Sequence, residues 1–217
     1  MSDVSEIITI LDDHGFSDAV TQTKFDAIND AYWDVCSREP WPFLEKSASV
    51  SFTAGDDTPT MPTDFRAVLS LFIPAQSLVL QPERLDTLAK NYPAQLGSTA
   101  AADRNRPLFY YFVGNELRLY PTPDAAYTAT LFYVSWPAEL TSGTLEAAIM
   151  VPARHHRVLV SGALSHLYRQ EDDPDNAMLF ETQLEKRLQS MRNDVYQRQF
   201  DRPDRVVDVY GDDYLDY

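Results

Sequence analysis

The sequence predicts an α+β protein: an antiparallel four-helix bundle, two helices from each end of the chain, with a small inserted β domain and an extended C-terminal arm. Two changes of period carry this reading. Apolar residues recur every three or four positions before residue 46 and again after Pro152, and every second position over much of the stretch between. The third observation is punctuation, because fourteen Pro against seven Gly give stiff corners and few flexible joints. The expected boundaries are a helical hairpin at 1–46, a β domain at 47–138, the C-terminal helices at 139–203 and the arm at 204–217.

The first helical signal is Val4, Ile7, Ile8 and Leu11, with Ser2 or Asp3 as cap and Gly15 closing the helix. Thr23 opens a second helix, with Asp26 three residues on as an acidic variant of the capping box. Phe25, Ile28, Tyr32 and Val35 are its inward stripe, and Pro40 ends it. From Ser47 to about Pro137 the pattern turns to strands. Val50 and Phe52 alternate with small polar residues, Phe65 to Ile73 is an apolar run, and Tyr127 to Val134 is β-rich. Leu108–Val113 and Glu116–Tyr120 flank Gly114-Asn115, a pair suited to a tight hairpin turn. Pro82 to Tyr92 reads as a short helix with Pro82 at its first position and Leu85 and Leu88 as anchors. Pro93 to Arg106 reads as an exposed loop.

Helical spacing returns after Pro152, where Val158, Leu159, Gly162, Ala163, His166 and Leu167 face one way. Asp173 and Pro174 start the next helix as cap and first-turn proline. Its stripe is Ala177, Phe180, Leu184, Leu188, Met191 and Val195, which from residue 184 steps by four, three and four as in a bundle. The arm interleaves five Asp with Val206, Val207, Val209, Tyr210, Tyr214, Leu215 and Tyr217. A purely solvating tail would not carry that apolar content, so the arm is expected to order on a partner.

Composition narrows the function. A net charge of −15 argues against a protein that grips DNA, since phosphate binding needs clustered cations. Cys36, the one cysteine, reads as a buried thiol in a helix. The first residues carry no basic segment, and no run approaches the ~18 apolar residues of a membrane span. The expectation is a soluble product with no membrane partner.

Catalytic chemistry is not expected. His155 and His156 are adjacent and diverge by about 100° on a helix, while His166 lies roughly three turns on and His14 is remote in sequence. The acidic stretch Glu171–Asn176 lacks the ligand spacing and mid-loop Gly of a calcium loop. Ser161-Gly162 lies mid-helix and is no nucleophile elbow, and no Gly-rich phosphate loop exists. The expectation is no enzyme, no metal and no cofactor. A different class of function remains open: a carbohydrate- or ligand-binding β module that stacks its ligand on Tyr110, Tyr111, Phe132 and Trp136.

Several phrases occur in a telling order. Arg38-Glu39-Pro40-Trp41-Pro42-Phe43-Leu44 follows the second helix, and Met61-Pro62-Thr63-Asp64-Phe65-Arg66 opens a β segment. Arg106-Pro107, Tyr110-Tyr111 and the run Leu117–Asp124 come next, then Tyr133, Pro137 and Leu140-Thr141. This order resembles the head-to-tail adaptor (connector) proteins of tailed phages over about residues 4–200. The resemblance implies a structural protein of the virion neck, made in the host cytoplasm, with neighbouring copies joined in a ring of about twelve. It further implies that the ring docks on the portal protein, extends a channel through which DNA passes without specific binding, and offers a surface to a stopper or tail protein. The C-terminal segment of such proteins reaches onto the portal, which would make Val206, Val207, Val209, Tyr210, Tyr214, Leu215 and Tyr217 a portal-binding arm. Another neck component, a stopper or tail-completion protein, is the alternative within the virion.

Overall fold

The computed structural model describes residues 4–98, 100–140 and 149–200. The chain divides into two compact units, Leu44–Ala138 and the residues on either side of it. In the flanking unit, α1 (Val4–Leu11) runs into a π-type turn at Asp12–Phe16, where Gly15 takes φ +100°. A left-handed φ of this kind is open to glycine at no steric cost, and the turn sends the chain into α2 (Thr21–Arg38). After the β unit come α4 (Arg157–Gln170) and α5 (Pro174–Phe200).

The α+β class stands, but the four-helix bundle with a small β insertion does not. Five α-helices occur among the described residues, one of them inside the β unit, together with seven strands in two sheets. The helices of the flanking unit are also not equal partners around a shared core. α1 is only two turns long, and α1, α2 and α5 all pack on α4. Every residue of α4 from Val158 to Ser165 is buried, on all faces, as expected for a helix enclosed by neighbours. Small residues permit the close approach: a Cβ on Gly162 would lie 2.6 Å from the Ala31 Cβ of α2.

The apolar stripes of α2 and α5 are buried as the spacing predicts. Thr21, not Thr23, begins α2, and no side chain caps it, so the capping box is absent. Polar tethers complete this unit. Asn29 clamps the Leu140 main chain, donating to its carbonyl at 2.7 Å and accepting from its N–H at 2.8 Å. The Tyr32 hydroxyl accepts from the Met150 N–H at 2.9 Å, and burial pushes its pKa up to about 12. Trp41 is buried, donates to the Val35 carbonyl at 2.7 Å and stacks between Phe43 and Tyr196. Asp173 caps α5 by accepting from the Asn176 N–H at 3.1 Å.

In the β unit, one sheet has the order β1–β7–β2–β3, from β1 (Glu45–Phe52), β2 (Phe65–Ile73), β3 (Leu78–Val79) and β7 (Tyr127–Ser135). Its three pairings are antiparallel. The second sheet has the order β4–β5–β6, from β4 (Gln81–Pro82), β5 (Phe109–Val113) and β6 (Glu116–Tyr120). The β5–β6 hairpin turns at Gly114-Asn115, with Gly114 at φ +61°. The sheets enclose Phe52, Leu71, Ile73, Tyr110, Leu117, Leu131 and Tyr133. A smaller core of Leu88, Tyr111 and Tyr120 involves α3 (Leu85–Asn91). Pro82 therefore belongs to a strand and not to the start of a helix, because the flanking N–H groups of Gln81 and Glu83 bond the carbonyls of Leu108 and Tyr110. The stretch Pro93–Arg106 is tied down: Gln95 accepts from the Tyr120 hydroxyl at 3.0 Å and the Ser98 carbonyl from the Thr122 hydroxyl at 2.9 Å.

Candidate functional site

A cleft of about 680 Å³ opens in the β unit, lined by Phe65, Arg66, Glu83, Tyr110, Tyr111 and Trp136 among others. Three of the four aromatic residues suggested as a sugar platform thus reach one place. The fourth does not: period-two alternation puts Leu131 and Tyr133 into the core and Phe132 on the other face of β7, stacked on Phe72 at 5.9 Å. Tyr110 and Tyr111 are themselves buried core residues, and the Arg66 guanidinium lies 4.5 Å over the Trp136 ring. The Trp136 face is therefore covered by the chain's own cation, while Phe65 and Phe112, also in the cleft, stack on each other. This geometry gives a ligand-stacking module little to work with.

Three of the four histidines, His14, His155 and His156, have structural partners. His155 Nε2 lies 2.7 Å from the Asp194 carboxylate, which Arg154 also meets at 2.6 Å. His156 is buried with Nε2 2.9 Å from the Val151 carbonyl, and His14 meets Phe180 edge-on. Among the described residues no group of three or more His, Cys, Asp or Glu side chains is arranged to hold a metal. Cys36 is buried. No helix among those residues is long and apolar enough to cross a membrane.

Charge is distributed unevenly. The first 43 residues hold nine Asp and Glu against two Lys and Arg. Of these, Lys24 is buried and ion-paired to Asp12, and Arg38 is paired to Asp34 and Glu185. Asp26 and Asp30 lie on the exposed side of α2. The β unit is nearly neutral, with nine acidic and seven basic residues between Leu44 and Ala138.

A second cavity, of about 380 Å³, lies among α1, α4 and α5, with Ile10, Leu164 and Phe180 as apolar lining and Arg157 and Arg187 beside them. Arg187 Nη1 donates to the Arg157 carbonyl at 2.7 Å and to the Ser161 hydroxyl. Burial, and then the Arg157 charge, hold the Arg187 pKa below its usual value. The sequence carries this pair only in outline, as two arginines on helices already expected to be neighbours, and only the register of α4 on α5 brings them together. The arm residues Val206, Val207, Val209, Tyr210, Tyr214, Leu215 and Tyr217 lie outside the described residues.

Comparison with known proteins supplies what the geometry does not. No curated protein matches the chain. A family model described as SU10 adaptor protein matches residues 3–207, which takes in the β unit and all the described helices. The chain belongs to this family of phage head-to-tail adaptors, structural proteins of the virion that associate with other components of its neck.

Proposed function

We propose that the protein acts as the ring-forming adaptor of the neck: copies assemble in a ring of about twelve beneath the portal, extend the DNA channel and present the surface to which a stopper or tail protein attaches. The observation that carries this reading is the family match, which spans the helical and β units alike. Charge agrees with a channel role. Twelve copies at −15 each would total about −180, and acidic walls keep packaged DNA from adhering as it slides. The isolated protein is expected to show negligible binding to duplex DNA in a gel shift at physiological salt. Tight, salt-sensitive binding would contradict the channel role.

The arm, residues 204–217, is the proposed portal contact. Val206 to Tyr210 has the composition of a segment that adds to a sheet edge or lies in a groove between subunits, and its Asp residues would steer it to basic side chains. The family match ends at residue 207, so from Asp208 onward the proposal rests on composition alone. Each copy would bind weakly because ordering the segment costs entropy, and the ring would hold by avidity. Deleting residues 204–217 should leave a folded subunit that no longer co-sediments with portal or with DNA-filled heads. Attachment at the wild-type level would move the docking surface elsewhere on the chain.

A further inference from the structure

The Arg157–Arg187 pair stands out in a protein this acidic. Arg38, Arg154, Arg169 and Arg192 each meet a carboxylate. Among the described residues Arg157 and Arg187 meet none, although they sit side by side at a cavity. Two like charges held together without a counter-ion favour an anion between them. The apolar lining restricts what that anion can be: Ile10 and Phe180 suit a ligand that carries hydrophobic groups next to its carboxylates. An acidic, aromatic peptide has that chemistry.

The chain contains one. From Asp208 to Tyr217 four Asp alternate with Val209, Tyr210, Tyr214, Leu215 and Tyr217. Its reach also fits. Arg187 and Phe180 lie roughly 20 Å and 30 Å back along α5 from Phe200, at ~1.5 Å per helical residue. An extended strand covers those distances in about six and nine residues. A reversal at Pro203, whose ring disfavours a helical residue before it, would bring Asp208 to Tyr214 alongside the cavity.

We propose that this groove binds the chain's own C-terminal segment, with Asp carboxylates on Arg157 and Arg187 and tyrosine and leucine side chains over Ile10 and Phe180. The groove then covers the apolar residues of the arm in the free subunit and releases them to a partner. The proposal does not depend on that partner being the portal, and loss of the portal interaction would leave it intact.

Limited chymotrypsin cleavage after Tyr210 and Tyr214, followed by mass spectrometry on the full chain, tests it. Rates are normalised to synthetic peptides of the same arm sequence. Wild type is expected to be cut at least about tenfold more slowly than a variant with Asp208, Asp212 and Asp213 changed to Asn. Arg157→Glu, which keeps the main-chain carbonyl that Arg187 bonds, should remove the protection, and Arg157→Glu combined with Asp212→Arg should restore part of it. Equal normalised rates for wild type and the Asn variant would overturn the proposal, as would protection unaffected by Arg157→Glu. Protection that fades on dilution would place the arm on a second copy and overturn docking within one chain.

Discussion

The helical unit is organised around α4, a helix buried on every face by small and aliphatic residues, whereas the β unit is organised around large aromatic and aliphatic side chains between two sheets. The first gains stability by bringing backbones close, and the second by filling the space between layers that sit about 10 Å apart. The difference shows in what each unit tolerates. Close backbones leave no room for an added methyl group, while a wide aromatic layer suffers more from a lost one. The outer surfaces differ as well, since the excess acid is carried by the helical unit and the C-terminal residues and not by the near-neutral β unit.

The largest effects should come from a large buried side chain in each unit. Trp41→Ala removes a buried indole together with its bond to the Val35 carbonyl and should cost about 3–5 kcal/mol. Leu131→Ala, in the middle of β7, should cost about 2–5 kcal/mol. Urea unfolding gives the sizes, and hydrogen exchange shows where protection is lost. If the two units are as separate as their cores suggest, Trp41→Ala exposes amides of the helical unit first and Leu131→Ala those of the β unit. A uniform loss in both variants would mean a single cooperative unit.

Two glycines sharpen the same comparison. Gly162 is required for space, so Gly162→Ala should cost about 1–3 kcal/mol even though alanine is the better helix former by ~1 kcal/mol. Gly114 has nothing within 4 Å of an added Cβ but takes φ +61°, so Gly114→Ala should cost about 1 kcal/mol through conformation alone. Asparagine separates the two causes. It tolerates left-handed backbone, so Gly114→Asn should recover most of the loss, while Gly162→Asn should be worse than Gly162→Ala.

The last expected effect is absent at neutral pH and appears only in alkali. Tyr32 and Tyr133, one in each unit, have pKa values pushed up to about 12, Tyr32 by burial and Tyr133 by burial and then by the Asp64 carboxylate that its hydroxyl bonds at 2.8 Å. Both are neutral in the native and unfolded states below about pH 10. Between about pH 10 and 12 the unfolded chain loses these protons and the native state keeps them, so stability falls as pH rises through that window. Unfolding midpoints at pH 9 and pH 11.5 should differ less in Tyr32→Phe and in Tyr133→Phe than in wild type. A slope unchanged in either variant would show that its hydroxyl already titrates normally in the folded protein.

How much of this was legible in the sequence depends on how local each signal is. The stripes of α2 and α5 and the Gly114-Asn115 hairpin are written in neighbouring residues, and they fold as the spacing predicts. The central place of α4 is partly written, since Val158-Leu159-Val160 and Ala163-Leu164 spread apolar residues around the helix and only small residues (Ser161, Gly162, Ser165) interrupt them, but the one-sided periodicity expected of it leads to a bundle. Pro82 was misplaced because its strand partner, Tyr110, is remote in the chain. The start of α2 was misjudged for a similar reason: Lys24, buried in its first turns, answers to Asp12 of the preceding turn and not to a local cap. The candidate arm lay in composition alone, whereas the Arg157–Arg187 groove needed the helix register.

The pairing of Glu45 with Val134 has a consequence for how the polypeptide is made. It closes the β unit on itself, so that the two points where the chain enters and leaves lie on adjacent strands. For the residues that follow, an insertion of nearly half the chain then acts as a short tie, and a loop-closure cost of about 4 kcal/mol for so long a segment is met when the sheet forms. During synthesis α1 and α2 emerge first and have no α4 to enclose. The sheets can complete while the ribosome is still translating, and by the time α4 appears α1 and α2 are already within reach. The order of elements along the gene thus sets a vectorial assembly, in which the central helix arrives after two of its partners, α1 and α2, and before the third, α5.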